Sequence, residues 1–339
     1  MADLKVGVIG AGYWGPNLIR NFSEAPGADV VAVADLSQER LDAVRKRFPA
    51  VRTTRDHREI VGDPAIDAVC VVTPISTHRA LAEEAFAAAK HVFVEKPLAG
   101  SVADAQAIAD AAARADRVLM VGHTFVYNPA VIKVRELIAR GELGRIQYVD
   151  SQRVNLGLHQ FDLNVLWDLG PHDVSITLDW LGEEPEWVQC VGACYVQPEI
   201  EDVVFLTVGF PSGALAHAHL SWLAPSKLRR MAVVGSRKMA VYDDTEAAER
   251  VKVYDHGVDS LSSEELRRSY RSGDIHSPRV PVTEALQIEV RHFIESITTG
   301  TAPRSDGAAG VRVVRVLETA MTSLRSGGAR VAFREPARV

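Results

Sequence analysis

The chain has 339 residues, more than one ordinary hydrophobic core organises, so its length favours two domains of unequal size. With 47% hydrophobic and 24% charged residues it has a globular make-up, and a formal net charge of -6 argues against a generic nucleic-acid or anionic-membrane binder. Three cysteines (Cys70, Cys190, Cys194) are too few for a disulfide framework; the last two sit at i and i+4 of a strand-like stretch and read as core filler, with no metal site expected.

The first apolar run begins at Leu4 and none approaches membrane-spanning length, so we expect no signal peptide, no membrane segment and a cytoplasmic protein. "LKVGVIG" reads as a buried strand, followed by a helix from about Trp14 to Ser23. "DVVAVAD" is a second strand and "SQERLDAVRKRF" a second helix. "AIDAVCVVTP" and "HVFVEKP" are further apolar strands with the helix "THRALAEEAFAAAK" between them. The helical "VADAQAIADAAARAD" and the strand "RVLMVGHT" complete this part. Alternating β and α segments with continuously apolar strands predict a parallel, doubly wound sheet with helices on both faces.

After Asn128-Pro129 the pattern changes to a helix, "AVIKVRELIARGELG", and then to longer alternating strands: "RIQYVDSQRVNL", "WVQCVGACYVQ", "DVVFLTVGF", "GALAHAHLSWL" and "RRMAVVGSRKMAVYD". "GFPSGA" predicts a hairpin turn, residues 255–282 a long polar loop, and 284–299 and 306–326 two closing helices. The expectation is an α/β chain. A doubly wound parallel-sheet domain over 1–123 is followed, over 124–339, by an α+β domain with a large, mostly antiparallel, open-faced sheet. An apolar face left uncovered predicts a homodimer or homotetramer joined through that sheet.

Gly10, Gly12 and Gly15 in "GVIGAGYWG" have G-x-G-x-x-G spacing at the end of a strand and the opening of a helix. In that context the first glycine permits a tight turn, the second lets a pyrophosphate approach the backbone, and the third lets helix and strand pack closely. Asp35 ends the second strand, where a carboxylate accepts hydrogen bonds from the ribose hydroxyls of NAD and repels the extra phosphate of NADP. Arg40 stands a turn further on and reads as a weak helper for such a phosphate.

"HVFVEKPLAG" delivers Glu95 and Lys96 straight after a buried strand. Either the chain has reached water there, or Lys96 is aimed at a ligand beyond the carboxyl ends of the strands. In "VLWDLGPHDVSI", Asp168 and His172 are four apart. With Asp168 as N-cap and Pro171 in the first turn, the imidazole would stand one turn above the carboxylate, which favours the imidazolium form. Capping plus a half-buried histidine is the bland alternative.

Together the glycine fingerprint, the T-P-x-x-x-H turn, E-K-P and D-x-G-x-H resemble the Gfo/Idh/MocA family of NAD(P)-dependent sugar and polyol oxidoreductases, over essentially the whole chain. The resemblance implies that Lys96 polarises the substrate oxygen, with Pro97 introducing a cis peptide, that His172 is the general base, and that Asp168 orients base or substrate. It implies NAD contacts from Gly10, Gly12, Tyr13, Trp14, Gly15 and Asp35. Thr73, Pro74, His78, Glu95, Lys96 and His123 would add to these. Tyr127, Arg153, Asn155 and His172 are candidate substrate contacts, the first three equally readable as structural hydrogen-bonders. "GYWGPNLIRNF" and "SQRVNLG" look most similar to members acting on nucleotide-linked amino sugars, such as UDP-N-acetylglucosamine 3-dehydrogenases. Inositol and free-aldose dehydrogenases come next, and an NAD-dependent glycosidase or a non-catalytic NAD-binding protein are further alternatives.

Overall fold

The computed structural model describes residues 3–157, 159–260 and 268–333. The chain divides into two compact units, one of the described residues up to Asn128 together with Thr283–Arg315, the other of Pro129–Val282 and the described residues from Val316.

The first unit opens with β1 (Leu4–Ile9), α1 (Gly15–Glu24), β2 (Ala28–Ala34), α2 (Gln38–Arg47), β3 (Arg52–Thr54) and α3 (Arg58–Val61). It continues with β4 (Ala68–Val71), α4 (His78–Ala87), β5 (His91–Glu95), α5 (Val102–Ala115) and β6 (Leu119–Gly122). Among the described residues these strands form a six-stranded sheet in the order β3-β2-β1-β4-β5-β6, every pairing parallel. The apolar run of each central strand is what a sheet covered on both faces demands: all four residues of β4 are buried, and Val92, Phe93 and Val94 are fully so. Helix α2 begins where Ser37 caps it by accepting from the Arg40 N–H (3.4 Å), and ends in Arg45, Lys46 and Arg47, charges that suit its carboxyl end. The short β3 and α3 were not anticipated, because "RTT" and "REIV" are too brief to show a period.

The second unit holds α6 (Pro129–Ala139), β7 (Ile146–Val154), α7 (Val165–Leu181), β8 (Trp187–Ala193), β9 (Val203–Gly209) and β10 (Leu215–Ser221). Then come β11 (Leu228–Gly235), β12 (Met239–Asp243), β13 (Val251–Ser260) and β14 (Arg268–His276). The chain closes with α8 (Ala285–Thr299), α9 (Gly307–Arg325) and β15 (Val331–Ala332). Among the described residues the second sheet has nine strands, β14-β13-β12-β11-β7-β10-β9-β8-β15, antiparallel except between β7 and β10. Its two faces differ. Val204, Leu206 and Val208 of β9 and Ala216, Ala218 and Leu220 of β10 are buried, while Tyr148, Phe205 and Leu215, on alternate positions, are 46%, 41% and 44% exposed.

Three expectations need correcting. Residues 255–282 are not one long loop, since β13 and β14 pair there; residues 261–267 of that stretch lie outside the described ones. Polar side chains such as those of "RSGDIH" hide a strand held by its backbone ladder. "RRMAVVGSRKMAVYD" is two strands, folded back where the Gly235 N–H donates to Lys238 O (3.0 Å). Cys194 lies past the end of β8 and is exposed, so Cys190 alone of that pair is core filler.

The chain is also cut differently from a single boundary at residue 123. Helix α8 belongs to the first unit because its apolar stripe completes that core: Leu286, Val290, Phe293 and Ile294 join Phe22 and Phe93. Phe22, Phe93 and Phe293 meet edge to face, with centroids 6.3, 6.1 and 5.8 Å apart.

Candidate active site

In the first unit the glycine turn has the shape its spacing implies. Gly10 has φ +101°, and a Cβ there would come 2.5 Å from Val72 O; one on Gly15 would come 2.5 Å from Gly10 O. Around Gly12 the backbone is open, a Cβ meeting nothing nearer than Arg40 Nη1 at 3.8 Å. Helix α1 starts behind this turn with Trp14 at its N-cap, a residue that makes no capping hydrogen bond there. A diphosphate therefore fits the turn: backbone approachable at Gly12 and a helix amino end behind it.

Asp35 lies just past β2 with its carboxylate tied to that turn. Oδ2 accepts from the Ala11 N–H (2.7 Å), Oδ1 from the Ser37 N–H (2.8 Å), and Arg40 Nη1 stands 3.6 Å from Oδ2. Tyr13 is 90% exposed, and Leu36, next to Asp35 in the chain, is 79% exposed, so both leave apolar surface open to a ligand.

Beyond β4, the Thr73 and Thr77 hydroxyls are 2.6 Å apart and Thr77 Oγ1 donates to Pro74 O (2.7 Å). His78 is 1% exposed, with Nε2 2.9 Å from Thr73 O and Nδ1 3.1 Å from Pro97 O. It ties the turn after β4 to the segment after β5. Each ring nitrogen faces a backbone carbonyl and the neutral ring donates to one of them, which makes His78 a support for the cradle. Burial pushes its pKa below the ordinary histidine range.

Lys96 follows β5, half-buried, and its bond to Pro97 is cis. Glu95 beneath it is buried. Its carboxyl is pushed up to about 7 by burial, against the opposing Lys96 charge, the Lys96 N–H on Oε2 (3.1 Å) and a hydrogen bond from the Trp14 side chain. His123, 1% exposed, has its pKa driven down to about 3 by burial and by the Lys96 charge, so its imidazole stays neutral. Among the described residues neither of its ring nitrogens has a hydrogen-bond partner.

Glu289 of α8 was missed. It is completely buried, accepts from Thr124 Oγ1 (2.8 Å), and burial together with the charge of Glu95 raises its pKa well above the carboxylate range. A glutamate three residues from Leu286 and four from Phe293, on the apolar stripe of a helix, is the signal that could have found it. Tyr127 is buried, its hydroxyl 3.0 Å from Ser305 Oγ and accepting from the Ser305 N–H (3.2 Å). Those bonds match the structural alternative.

In the second unit α7 carries Asp168 and His172 one turn apart, both half-buried. The cap is not Asp168 but Asn164, whose Oδ1 accepts from the Trp167 N–H (3.2 Å), so Pro171 falls inside the helix and leaves the Trp167 carbonyl without its intrahelical donor. The four-residue spacing survives this shift because both residues are helical. Trp222, just past β10 and almost fully buried, donates its indole N–H to Asp168 Oδ2 (3.1 Å), and His159 lies against it with ring centroids 5.3 Å apart. Neither was singled out in the sequence, though a tryptophan at the carboxyl end of a strand is a fair prompt.

Asn155 accepts and donates through its backbone at the end of β10, to the Ala224 N–H and Ser221 O. Arg153 is 3% exposed and forms an ion pair with Asp173, Nε to Oδ2 2.5 Å, while the Ser151 hydroxyl donates to Oδ1 (2.6 Å). Its guanidinium serves the core of this unit rather than a substrate. Among the described residues no three His, Cys, Asp or Glu side chains gather to hold a metal ion, and no helix is long and apolar enough to cross a membrane.

A parallel sheet in this strand order, with a glycine turn at its first βα crossover and a carboxylate past the second strand, defines a Rossmann dinucleotide-binding protein. The chain belongs to the GFO/IDH/MocA family: the model of the oxidoreductase family with an NAD-binding Rossmann fold matches residues 4–123, and that of the GFO/IDH/MocA C-terminal domain matches 131–241. NAD is its cofactor. The chain is 29% identical to a myo-inositol 2-dehydrogenase of Thermotoga maritima, over 62% of this chain and 66% of that one. It is 26% identical to a UDP-N-acetylglucosamine 3-dehydrogenase of Acidithiobacillus ferrooxidans, over 93% and 95%. The crystal structure of an oxidoreductase domain protein from Kribbella flavida superposes with a TM-score of 0.85, at 24% identity over 99% of this chain and all of that one.

Proposed function

We propose that the protein is an NAD-dependent dehydrogenase acting on a secondary hydroxyl of a sugar or polyol, with C3 of a nucleotide-linked amino sugar such as UDP-N-acetylglucosamine, or its uronic acid, as the substrate to test first. The observation that carries the reading is the Asp168–His172 pair one turn apart on α7, its carboxylate fixed by Trp222. The relative that acts on UDP-N-acetylglucosamine supports the choice of sugar by its near-complete coverage, and the inositol dehydrogenase favours a cyclic polyol as second candidate.

When bound, NAD supplies the hydride acceptor. Gly10, Gly12, Gly15 and Asp35 hold it, and His123, kept neutral, adds no charge beside it. His172 takes the hydroxyl proton and Asp168 orients that base, while Lys96, just past the end of β5, is a donor able to stabilise negative charge developing on an oxygen. A cytoplasmic setting and a homo-oligomer joined through the exposed sheet face around Tyr148, Phe205 and Leu215 belong to the same reading.

The test is NADH formation, followed by absorbance, on a panel of nucleotide sugars, inositols and free aldoses. Turnover of a nucleotide sugar supports the first choice, turnover of inositol alone replaces it, and release of an aglycone from a chromogenic glycoside without net NADH overturns the dehydrogenase. Light scattering that gives a monomer at micromolar concentration overturns the assembly.

A further inference from the structure

Strand β5 ends on an acid, although a strand covered on both faces has no room for a bare charge. The first unit is built around that acid. Opposite Glu95 on β6 stands Gly122, where a Cβ would come 3.0 Å from Glu95 Oε1, so the carboxyl fills the space of a side chain. Oε2 accepts from the Lys96 N–H (3.1 Å), while Oε1 is buried and, among the described residues, has no hydrogen-bond partner. The Trp14 side chain donates to the carboxyl from the head of α1. Cys70 of β4 senses its charge, and burial together with that charge keeps the thiol protonated. His123, beyond β6, is neutral beside Lys96. Glu289 of α8 also feels the Glu95 charge and is raised well above the carboxylate range, so Glu95 is the acid of the pair that ionises as pH passes about 7.

A dinucleotide lies across the point where the strand order of a doubly wound sheet reverses, here between β1 and β4. Asp35, past β2, marks the adenosine half. That leaves the half built on β4, β5 and β6 for the nicotinamide, with Glu95 and Lys96 at the end of its central strand. NAD⁺ and NADH share every phosphate and ribose and differ there by one positive charge on the ring. An opposite charge within about 4–6 Å makes a carboxyl about ten- to a thousandfold more acidic, and a carboxyl out of solvent responds most.

We propose that Glu95 is a specificity-determining residue for the redox state of the cofactor, releasing its proton to solvent when NAD⁺ binds and retaining it when NADH binds, so that the site turns toward the oxidised form as pH rises. The proposal rests on NAD lying across this sheet and on no particular alcohol.

The experiment needs no substrate. NAD⁺ and NADH are titrated into the full chain by calorimetry at pH 6 and pH 8.5, and at pH 6.5 in two buffers of different ionisation enthalpy, which counts the protons released. With Glu95 at about 7 in the free protein and tenfold more acidic beside NAD⁺, the preference for NAD⁺ over NADH should rise about fivefold from pH 6 to pH 8.5. At pH 6.5 NAD⁺ should release about half a proton and NADH about none. Glu95→Gln should hold the ratio of the two affinities within about twofold across the same range. Taking the ratio cancels groups that answer to the phosphates, and the variant separates Glu95 from His172 and every other titrating group. A flat ratio in the wild type, or a pH dependence that survives Glu95→Gln, overturns the proposal. Failure of the wild type to bind NADH overturns the placement of NAD in this unit, and the proposal with it.

Discussion

Glu95 offers a test of the site that requires no substrate. Its carboxyl is pushed up to about 7 from an ordinary 4.5, chiefly by burial. Below about pH 4.5 the acid is neutral in both folded and unfolded chains. Between 4.5 and 7 the unfolded chain has released the proton and the folded one still holds it, so stability is lost as pH rises. At about 1.4 kcal/mol for each tenfold difference in proton affinity, that interval corresponds to about 3 kcal/mol. Glu95→Gln keeps the shape and an acceptor for the Lys96 N–H but cannot ionise. Urea unfolding of wild type and variant at pH 5 and pH 8 gives four free energies. The variant should gain on the wild type by about 2–3 kcal/mol between the two values. The burial that raises Glu289 is the same in both proteins, while the smaller part due to the Glu95 charge is lost in the variant and adds to its gain in the same direction. A variant-to-wild-type difference that is the same at both pH values would refute the argument that Glu95 is protonated in the folded site.

Three further outcomes are expected. Phe293→Ala empties the centre of the three-ring cluster and should cost about 3–5 kcal/mol in urea unfolding; a loss under about 1 kcal/mol would mean that α8 does not complete that core. Arg153→Met alone strands a buried Asp173 and should cost about 3–5 kcal/mol, with Arg153→Met/Asp173→Leu recovering most of it; equal losses in the two proteins count against the ion-pair account. Lys96→Met and His172→Ala should each lower kcat on a verified substrate by about a hundred- to ten-thousand-fold with NADH affinity kept, and near-normal turnover by either returns that residue to a structural role.

The parts legible in the sequence share a physical cause. Strands buried on both faces are continuous apolar runs, so β1, β2, β4, β5 and β6 announce themselves, and Gly10 and Gly15 of the first turn are fixed by clashes only glycine avoids. β14 and the later part of β13 carry mostly polar side chains and depend on a backbone ladder, while only Val251 and Val253 at the start of β13 alternate into the core. The cap of α7 went to Asn164 because an amide there reaches the Trp167 N–H, and both Asn164 and Asp168 are residue types suited to a cap. Glu289 and Trp222 matter through partners 165 and 54 positions away, which a linear reading does not bring together.

The return of the chain to its first unit at Thr283 bears on how the protein is made. A nascent chain that has emerged as far as Asn128 possesses every strand of the parallel sheet but not Phe293, Val290 or Leu286, the side chains that close over Phe22 and Phe93. At ordinary elongation rates of about 5–20 residues per second, the missing helix follows roughly ten to thirty seconds later. During that interval two aromatic rings destined for the interior face the solvent, a surface that chaperones and neighbouring chains both recognise. A fragment ending at Asn128 should stay in that condition, which makes the nucleotide-binding half a poor stand-alone domain unless the segment Thr283–Arg315 is spliced back to it.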